Sequence, residues 1–233
     1  GSLIKDDAAS SGKKAFHVAI MPCTAKKFEA SRPEFMKNGE PDVDVVITTQ
    51  ELILMIKESG LNFAELEPEA IDMPLGTVSG AGVIFGVTGG VTEAVLRRVS
   101  ENKSRGALLQ IANMGQRGSE GIKEFDIPYG DKTLHIAVVS GLANAERVLL
   151  RSAAGEKFDF IEIMACPGGC VNGGGQPYVG NNTDARVQGL YHADKMRSIR
   201  RSEENPIVNS VYKKIIKDRA HELLHVHYSK NHD

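Results

Sequence analysis

The 233-residue sequence predicts an α/β fold, a largely parallel sheet flanked by helices and followed by a helical C-terminal tail. Three observations predict it. Apolar runs of strand length alternate with amphipathic stretches of helical period. Two of those runs end in the same Met-x-Cys string, at Met21 and at Met164. No shift of composition interrupts the chain before about residue 185. The expected organisation is a disordered lead-in over 1–14, an α/β lobe over 15–184 and a helical tail over 185–233. Gly1-Ser2 reads as a cloning remnant, so the natural chain is expected to begin earlier.

Taken in order, the lead-in has no periodicity and is rich in Ser and charge, which argues against a packed element. Phe16 to Met21 is a short apolar run stopped by Pro22. Asp42 to Thr48 alternates apolar and polar residues as a strand does, and Thr49 is a suitable N-cap for a helix over Gln50 to Ser59 ended by Gly60. From Met73 to Gly90 the chain is Gly-rich without a helical period, so a buried loop system is expected there. It feeds a helix from Val91 to about Asn102. Gly121 to Ser140 reads as two strands around a Tyr129-Gly130-Asp131-Lys132 turn, followed by a helix from Ala143 to about Ala154. Phe158 to Met164 reads as a buried strand. Helical segments near 184–198, 206–217 and 218–227 close the chain.

Composition narrows the function. Lys and Arg total 28 against 30 Asp and Glu, a formal charge of -2. No global field recruits nucleic acid or an anionic membrane. No apolar run approaches the roughly 18 residues of a membrane span, and the start is not signal-like, so a cytoplasmic protein is expected. Three Cys, an odd number, argue against a secreted disulfide framework and leave thiols for metal or redox work.

Those thiols sit just past expected strands. Cys23 follows VAIMP and Cys166 follows IEIMA, the edge where open α/β sheets bind ligands. Cys170 comes four residues later, in CPGGC. The glycines around it remove side-chain bulk, so that backbone wraps closely and offers N–H groups. Thiolates are soft ligands for zinc, copper(I) or iron-sulfur clusters. Three ordinary buried thiols are the bland alternative.

The strings MPCTAKKFE at 21–29 and EIMACPGGCVNGGGQP at 162–177 resemble the second and third signature motifs of FeFe hydrogenases. The resemblance extends through PDVDVVITTQEL at 41–52, SGAGVIFGVTGGVTEAVLRR at 79–98, and the tail strings RSEENP and HELLHVHY. That tail is similar to a region that is a separate small subunit in some members. The lobe over 15–184 then corresponds to the second lobe of the catalytic domain. The resemblance implies reversible oxidation of H2 to protons and electrons at an H-cluster, a 4Fe-4S cubane joined to a diiron subcluster. It implies Cys23, Cys166 and Cys170 as cluster ligands, with Cys170 bridging to the diiron unit. Lys26 would donate to a cyanide ligand there, as an ammonium suits an anionic acceptor. Met21, Pro22, Phe85, Gly86 and Met164 would line the pocket. The implied electron partners are ferredoxin or NAD(P)H-linked subunits.

One departure weighs against all these matches. The family's first signature, a TSCCP-like string, is absent, and no Cys precedes Cys23. The chain therefore offers three of four cubane ligands and no proton-relay thiol. A missing N-terminal lobe, from a longer chain or another polypeptide, is expected as partner, and the chain alone is expected to be inactive, with a partial cluster or none. A hydrogenase-like H2 sensor or an iron-sulfur assembly protein is the alternative. His221-Glu222-Leu223-Leu224-His225 matches HExxH formally, making a zinc metalloprotease the remote rival, with His227 and His232 nearby. A packing helix is the preferred reading of it. Between Asp194 and Arg219, eight Lys or Arg face four acids, an excess that could steer an acidic electron carrier but fits a solvated helix face better.

Overall fold

In the computed structural model, which describes residues 1–70, 72, 76–102, 104–118, 121–178 and 182–228, strands and helices alternate along the chain. Helix α1 (Ser2–Ser10) precedes β1 (Val18–Met21), α2 (Ala25–Ser31), the short pair β2 (Met36–Lys37) and β3 (Glu40–Pro41), β4 (Val45–Thr48) and α3 (Thr49–Glu58). Next come α4 (Gly80–Val83), α5 (Gly90–Val99), α6 (Arg105–Ala112), β5 (Ile122–Tyr129), β6 (Lys132–Ser140), α7 (Leu142–Ala153) and β7 (Phe160–Met164). Helices α8 (Thr183–Met196), α9 (Pro206–Val211) and α10 (Ala220–Leu224) follow, with a π-helical turn at Tyr212–Ile216. The fold is α/β, a small parallel sheet flanked by helices.

The chain divides into two compact units. The first comprises Gly1–Gly76, Gly174–Pro177 and Pro206–Asp233, and the second Thr77–Gly173 and Tyr178–Asn205. In the first, β1 and β4 pair in parallel, Val18 opposite Val45 through Met21 opposite Thr48. Ala19, Val46 and Thr48 are buried on one face of this ladder. On the other face Val18, Ile20 and Val45 are 44%, 52% and 39% exposed. Thr48, one residue before the expected cap, caps α3. Its hydroxyl accepts the Glu51 amide at 3.2 Å while Glu51 accepts the Thr48 amide at 2.7 Å, a capping box. That amide, then Lys27 and the Thr48 hydroxyl, hold the Glu51 carboxyl down to about 2.

The expected disordered lead-in is instead helix α1, and side chains explain why. Lys5 meets Asp44 at 2.8 Å and Arg219 clasps Asp6 at 2.7 Å, anchoring a segment whose own composition favours disorder. Of the expected Gly-rich loop, residues 73–75 lie outside the described residues. The rest is buried at Ser79, Gly80, Ala81, Ile84 and Val87, and turns helical at α4.

In the second unit, β5 and β6 form an antiparallel hairpin turning at Tyr129 and Lys132, and β7 joins β6 in parallel through α7, a βαβ crossover. The parallel pairing expected of one sheet is thus divided between two small ones. Leu96, Ile111, Ile127, Ile136 and Val138 form a core on one side, and Ala137, Val139, Ala145 and Val148 one under α7. Helix α6 escapes the periodicity because the exposed Leu109 follows the buried Ala107 and Leu108, which blurs the apolar stripe.

Arg97 is sealed from solvent in this unit. It donates to Glu93 at 2.6 Å, to both oxygens of Asp194 at 2.8 Å and to the Arg200 carbonyl at 3.1 Å. Burial alone would raise the Glu93 and Asp194 carboxyls, yet Arg117 and Arg97 on the first, and Arg97 and Arg200 on the second, hold both below the usual range. Lowered folded-state values mean stability that is fully present above the unfolded carboxylate range and is lost as pH falls through the folded values. Urea unfolding between pH 7 and 3 is therefore expected to show falling stability below about pH 4. Arg97→Met, which leaves Glu93 with Arg117 and Asp194 with Arg200 as their remaining cations, is expected to cost about 3–5 kcal/mol at pH 7 and to flatten that slope.

Candidate metal centre

Both Met-x-Cys strings leave the carboxyl end of a parallel strand, Cys23 two residues beyond β1 and Cys166 two beyond β7. Cys23 belongs to the first unit, Cys166 and Cys170 to the second. None of the three is in a disulfide and all are half-buried, as are Met21, Pro22, Gly86 and Met164, whereas Phe85 is 48% exposed.

Around Cys166 and Cys170 the backbone is committed in detail. Gly168 N–H donates to the Ser140 hydroxyl at 2.9 Å and Gly169 N–H to the Cys166 carbonyl at 2.9 Å. These two amides, expected to face a ligand, are instead spent on the end of β6 and within the loop. Thr88 N–H donates to the Gly168 carbonyl at 3.3 Å, seating the Phe85–Gly90 stretch against the CPGGC loop. Gly169 has φ +95, and a Cβ there would lie 2.7 Å from Thr88 N and 2.8 Å from the Gly86 carbonyl oxygen. The structure thus brings Gly86 to the CPGGC loop. Val171 packs on Ile84 and Val87, backed by Leu190 and Tyr191 of α8.

The far end of the 162–177 string meets the near end of the 21–29 string within the first unit. Gly175 N–H donates to the Pro22 carbonyl at 3.1 Å and Gln50 N–H donates to the Gly175 carbonyl at 3.0 Å. A Cβ on Gly175 would lie 2.7 Å from Cys23 N. The third glycine of GGG is there because backbone lies on backbone.

Lys26 Nζ pairs with Glu29 one helical turn away, at 2.6 and 2.7 Å, and its side chain is 43% exposed. Lys27 instead reaches Glu51 and the Val46 carbonyl. The HELLH string lies on the five-residue α10 and its C-terminal cap. Glu222 pairs with Lys37 at 2.7 Å, and the His221 ring nitrogens approach His225 at 2.8 Å and His227 at 3.0 Å on opposite edges. His232 lies outside the described residues. Among the described residues the trio with metal-holding spacing is Glu124, His135 and Glu156, which sequence reasoning missed, and Arg151 already bridges both of its carboxylates. Of the basic residues after Asp194, Arg200 binds Asp194, buried Arg201 donates to the Arg97 carbonyl, and Arg219 binds Asp6, so much of that excess is internal.

Sequence reasoning also missed Glu162 and Ser140, which hold the loops. The only signal for Glu162 was that an acid inside a strand read as buried needs a polar partner; its alternation with Ile161 and Ile163 points to a solvent-facing acid, whereas Glu162 is 5% exposed and Ile163 40%.

Comparison with known proteins defines the family. Residues 1–174 match the model of the iron only hydrogenase large subunit, C-terminal domain, and residues 181–231 that of the iron hydrogenase small subunit. The chain is 46% identical over 225 residues to the NADP-reducing hydrogenase subunit HndD of Solidesulfovibrio fructosivorans, covering 94% of this chain and 38% of that protein. It is 43% identical to iron hydrogenase 1 of Clostridium pasteurianum, covering 94% of this chain and 40% of that one. Cytosolic iron-sulfur assembly component 3 of Bos taurus is 30% identical, covering 98% and 51%. Among solved structures, a variant of apo FeFe-hydrogenase HydA1 from Chlamydomonas reinhardtii superposes with a TM-score of 0.71 at 35% identity, covering 97% of this chain and 67% of that one. The chain belongs to the iron-only (FeFe) hydrogenase family. It spans about four-tenths to half the length of these curated relatives. Among the described residues, no helix is long and apolar enough to cross a membrane.

The cradle around Gly169 is testable without any metal. Gly169→Ala, with its positive φ and close backbone neighbours, is expected to lose about 1–3 kcal/mol in urea denaturation. Gly174→Ala is the control, since a Cβ there meets nothing nearer than Thr24 Oγ1 at 3.6 Å. Equal stability of the two variants would refute the close-approach account.

Proposed function

We propose that this chain is part of an FeFe hydrogenase catalytic domain, in which Cys23, Cys166 and Cys170 ligate a 4Fe-4S cubane and Cys170 also bridges to a diiron subcluster. The observation that carries the reading is that both Met-x-Cys strings leave carboxyl ends of parallel strands with half-buried thiols outside any disulfide. The donor set fits: soft thiols, in a glycine loop with no room for side chains at Gly169, suit iron-sulfur ligation. Gly175, in the same string as Cys166 and Cys170, is seated on Pro22 and Cys23 within the first unit.

When bound, the H-cluster supplies the redox chemistry that takes H2 to two protons and two electrons. The chain's residues do the rest. Cys23, Cys166 and Cys170 hold iron as thiolates. Lys26 leaves Glu29 and donates its Nζ hydrogens to an anionic ligand, a partner exchange that its half-exposed position permits. Met21, Pro22, Phe85, Gly86 and Met164 supply apolar walls that exclude water.

A fourth thiolate and a proton-relay Cys come from the remainder of the catalytic domain, the N-terminal lobe. Its docking is supported by the bare face of β1 and β4, because parallel strands are stable only with both faces covered. Ferredoxin or an NAD(P)H-linked subunit is the electron partner, the latter supported by the name of the HndD relative. A second reading, iron-sulfur assembly, is favoured by the 30% identity to the Bos taurus assembly component along 98% of this chain.

Anaerobic reconstitution with iron and sulfide tests the ligand set. The wild-type chain is expected to take up iron and acid-labile sulfide, with Cys166→Ala and Cys170→Ala lowering both and His221→Ala lowering neither. With dithionite and a mediator dye the chain alone is expected to evolve no hydrogen, lacking the fourth ligand and the relay. Iron content indifferent to both Cys variants would refute the ligand set. Stoichiometric zinc that is lost with His221, accompanied by peptidase activity, would support the protease rival instead.

A further inference from the structure

Glu162 stands in β7, four residues before Cys166, and is 5% exposed. Its Oε1 accepts the Gly89 amide at 2.7 Å, and its Oε2 accepts the Thr92 amide at 2.7 Å and the Thr92 hydroxyl at 2.6 Å. Every one of these partners is a donor, so the carboxyl acts only as an acceptor, the arrangement of a carboxylate anion. Among the described residues no ion pair includes it. Its charge is answered by the amino end of α5, where unsatisfied amides and the helix dipole carry partial positive charge.

This cap reaches the cysteine loop through a short series of contacts. Gly89 is fixed because its backbone lies against Gln116, where a Cβ would be 1.9 Å from the carbonyl oxygen. Thr88, next in the chain, donates to the Gly168 carbonyl, and Gly169 leaves no gap against Gly86 and Thr88. Glu162 thus ties the stretch carrying Phe85 and Gly86 to the strand that delivers Cys166. It also keeps a negative charge inside the protein close behind the cysteine loop. A fixed negative charge near a cluster opposes addition of an electron, and burial weakens the screening that water would give.

We propose that Glu162 is a positioning residue for the cluster site, with two effects: its carboxylate clamps the Phe85–Gly90 stretch against the CPGGC loop, and its buried charge lowers the cluster's reduction potential. This rests on the ligand assignment of Cys166 and Cys170 proposed above. The two effects separate chemically. Glu162→Gln keeps the shape, removes the charge and turns an amide NH2 toward groups that are themselves donors. Glu162→Asp keeps the charge but is one methylene short of the α5 amides.

The test uses the 233-residue chain and both variants, with two readouts. In the iron-free chain, hydrogen–deuterium exchange at Gly89 and Thr92 is expected to be at least tenfold faster in both variants than in wild type. After anaerobic reconstitution with iron and sulfide, a redox titration followed by electron paramagnetic resonance is expected to place the Glu162→Gln midpoint above wild type and the Glu162→Asp midpoint back near it. Iron uptake equal to wild type with an unshifted Glu162→Gln midpoint overturns the proposal and leaves the ligand assignment standing. Unchanged exchange in both variants overturns the clamp. A wild-type chain that takes up no iron overturns the ligand assignment and this proposal with it.

Discussion

Arg97 constrains the second unit more tightly than any apolar contact, because a guanidinium without access to water tolerates little error in its surroundings. Glu93 lies one turn before it on α5, Asp194 comes from the end of α8, and a carbonyl comes from the segment beyond. Two regions far apart in sequence, 93–97 and 194–200, must therefore arrive together or leave a charge exposed to low dielectric. Asp194 imposes a further condition, since its Oδ1 would lie 2.0 Å from a Cβ on Gly80, and only glycine fits at the start of α4. The apolar cluster under α5 supplies the drive to bury this region, and the planar, bidentate geometry at Arg97 fixes how the helix is rotated as it is buried. With the body of α5 held so, its amino end has one direction to present amides, and Glu162 is there to take them.

Most of the fold was legible where a signal is local. Strand β1, the β5–β6 hairpin, α7 and β7 each carry their own periodicity and stop signals, and each falls within a few residues of expectation. What was not legible depends on partners remote in sequence. Helix α1 has a composition that favours disorder and is held by Asp44 and Arg219. Helix α6 carries an exposed apolar Leu109 beside its buried Leu108, so no clean apolar stripe shows in the sequence. The division of parallel pairing between two sheets is a matter of tertiary placement, which no window of sequence contains. At the site, motif strings drew attention to Cys23, Cys166 and Cys170 and to the glycines, and the structure explains Gly169 and Gly175 by backbone lying against backbone. The motif did not say which amides remain for a ligand, and the Gly168 and Gly169 amides turn out to be spent on Ser140 and on the Cys166 carbonyl.

The glycines suggest why such strings are long. A ligand loop built from side-chain contacts can drift as rotamers change, whereas one built from main chain against main chain cannot. Gly175 on Pro22, Gly169 on Gly86 and Thr88, and Gly89 on Gln116 are all of the second kind. Each forbids a side chain, so each appears in the sequence as a Gly flanked by residues that must also be particular. The uncharged hydroxyls of Ser140 and Thr92 complete the arrangement at low cost, since each satisfies a buried group without adding charge.

Charge, by contrast, is concentrated where it has consequences. In the proposed role, thiolates at Cys166 and Cys170 would bring negative charge to a loop already backed by the Glu162 carboxylate, and the α5 amides that offset Glu162 are occupied by it. Metal cations would then be the natural counter-charge for the thiolates, since metal affinity requires the ligands deprotonated. A loop held by glycine packing and a buried clamp loses little further freedom when iron binds. Binding energy that would otherwise order the loop would then be left for metal–sulfur bonds, the general advantage of a site whose backbone is ordered before its ligand arrives.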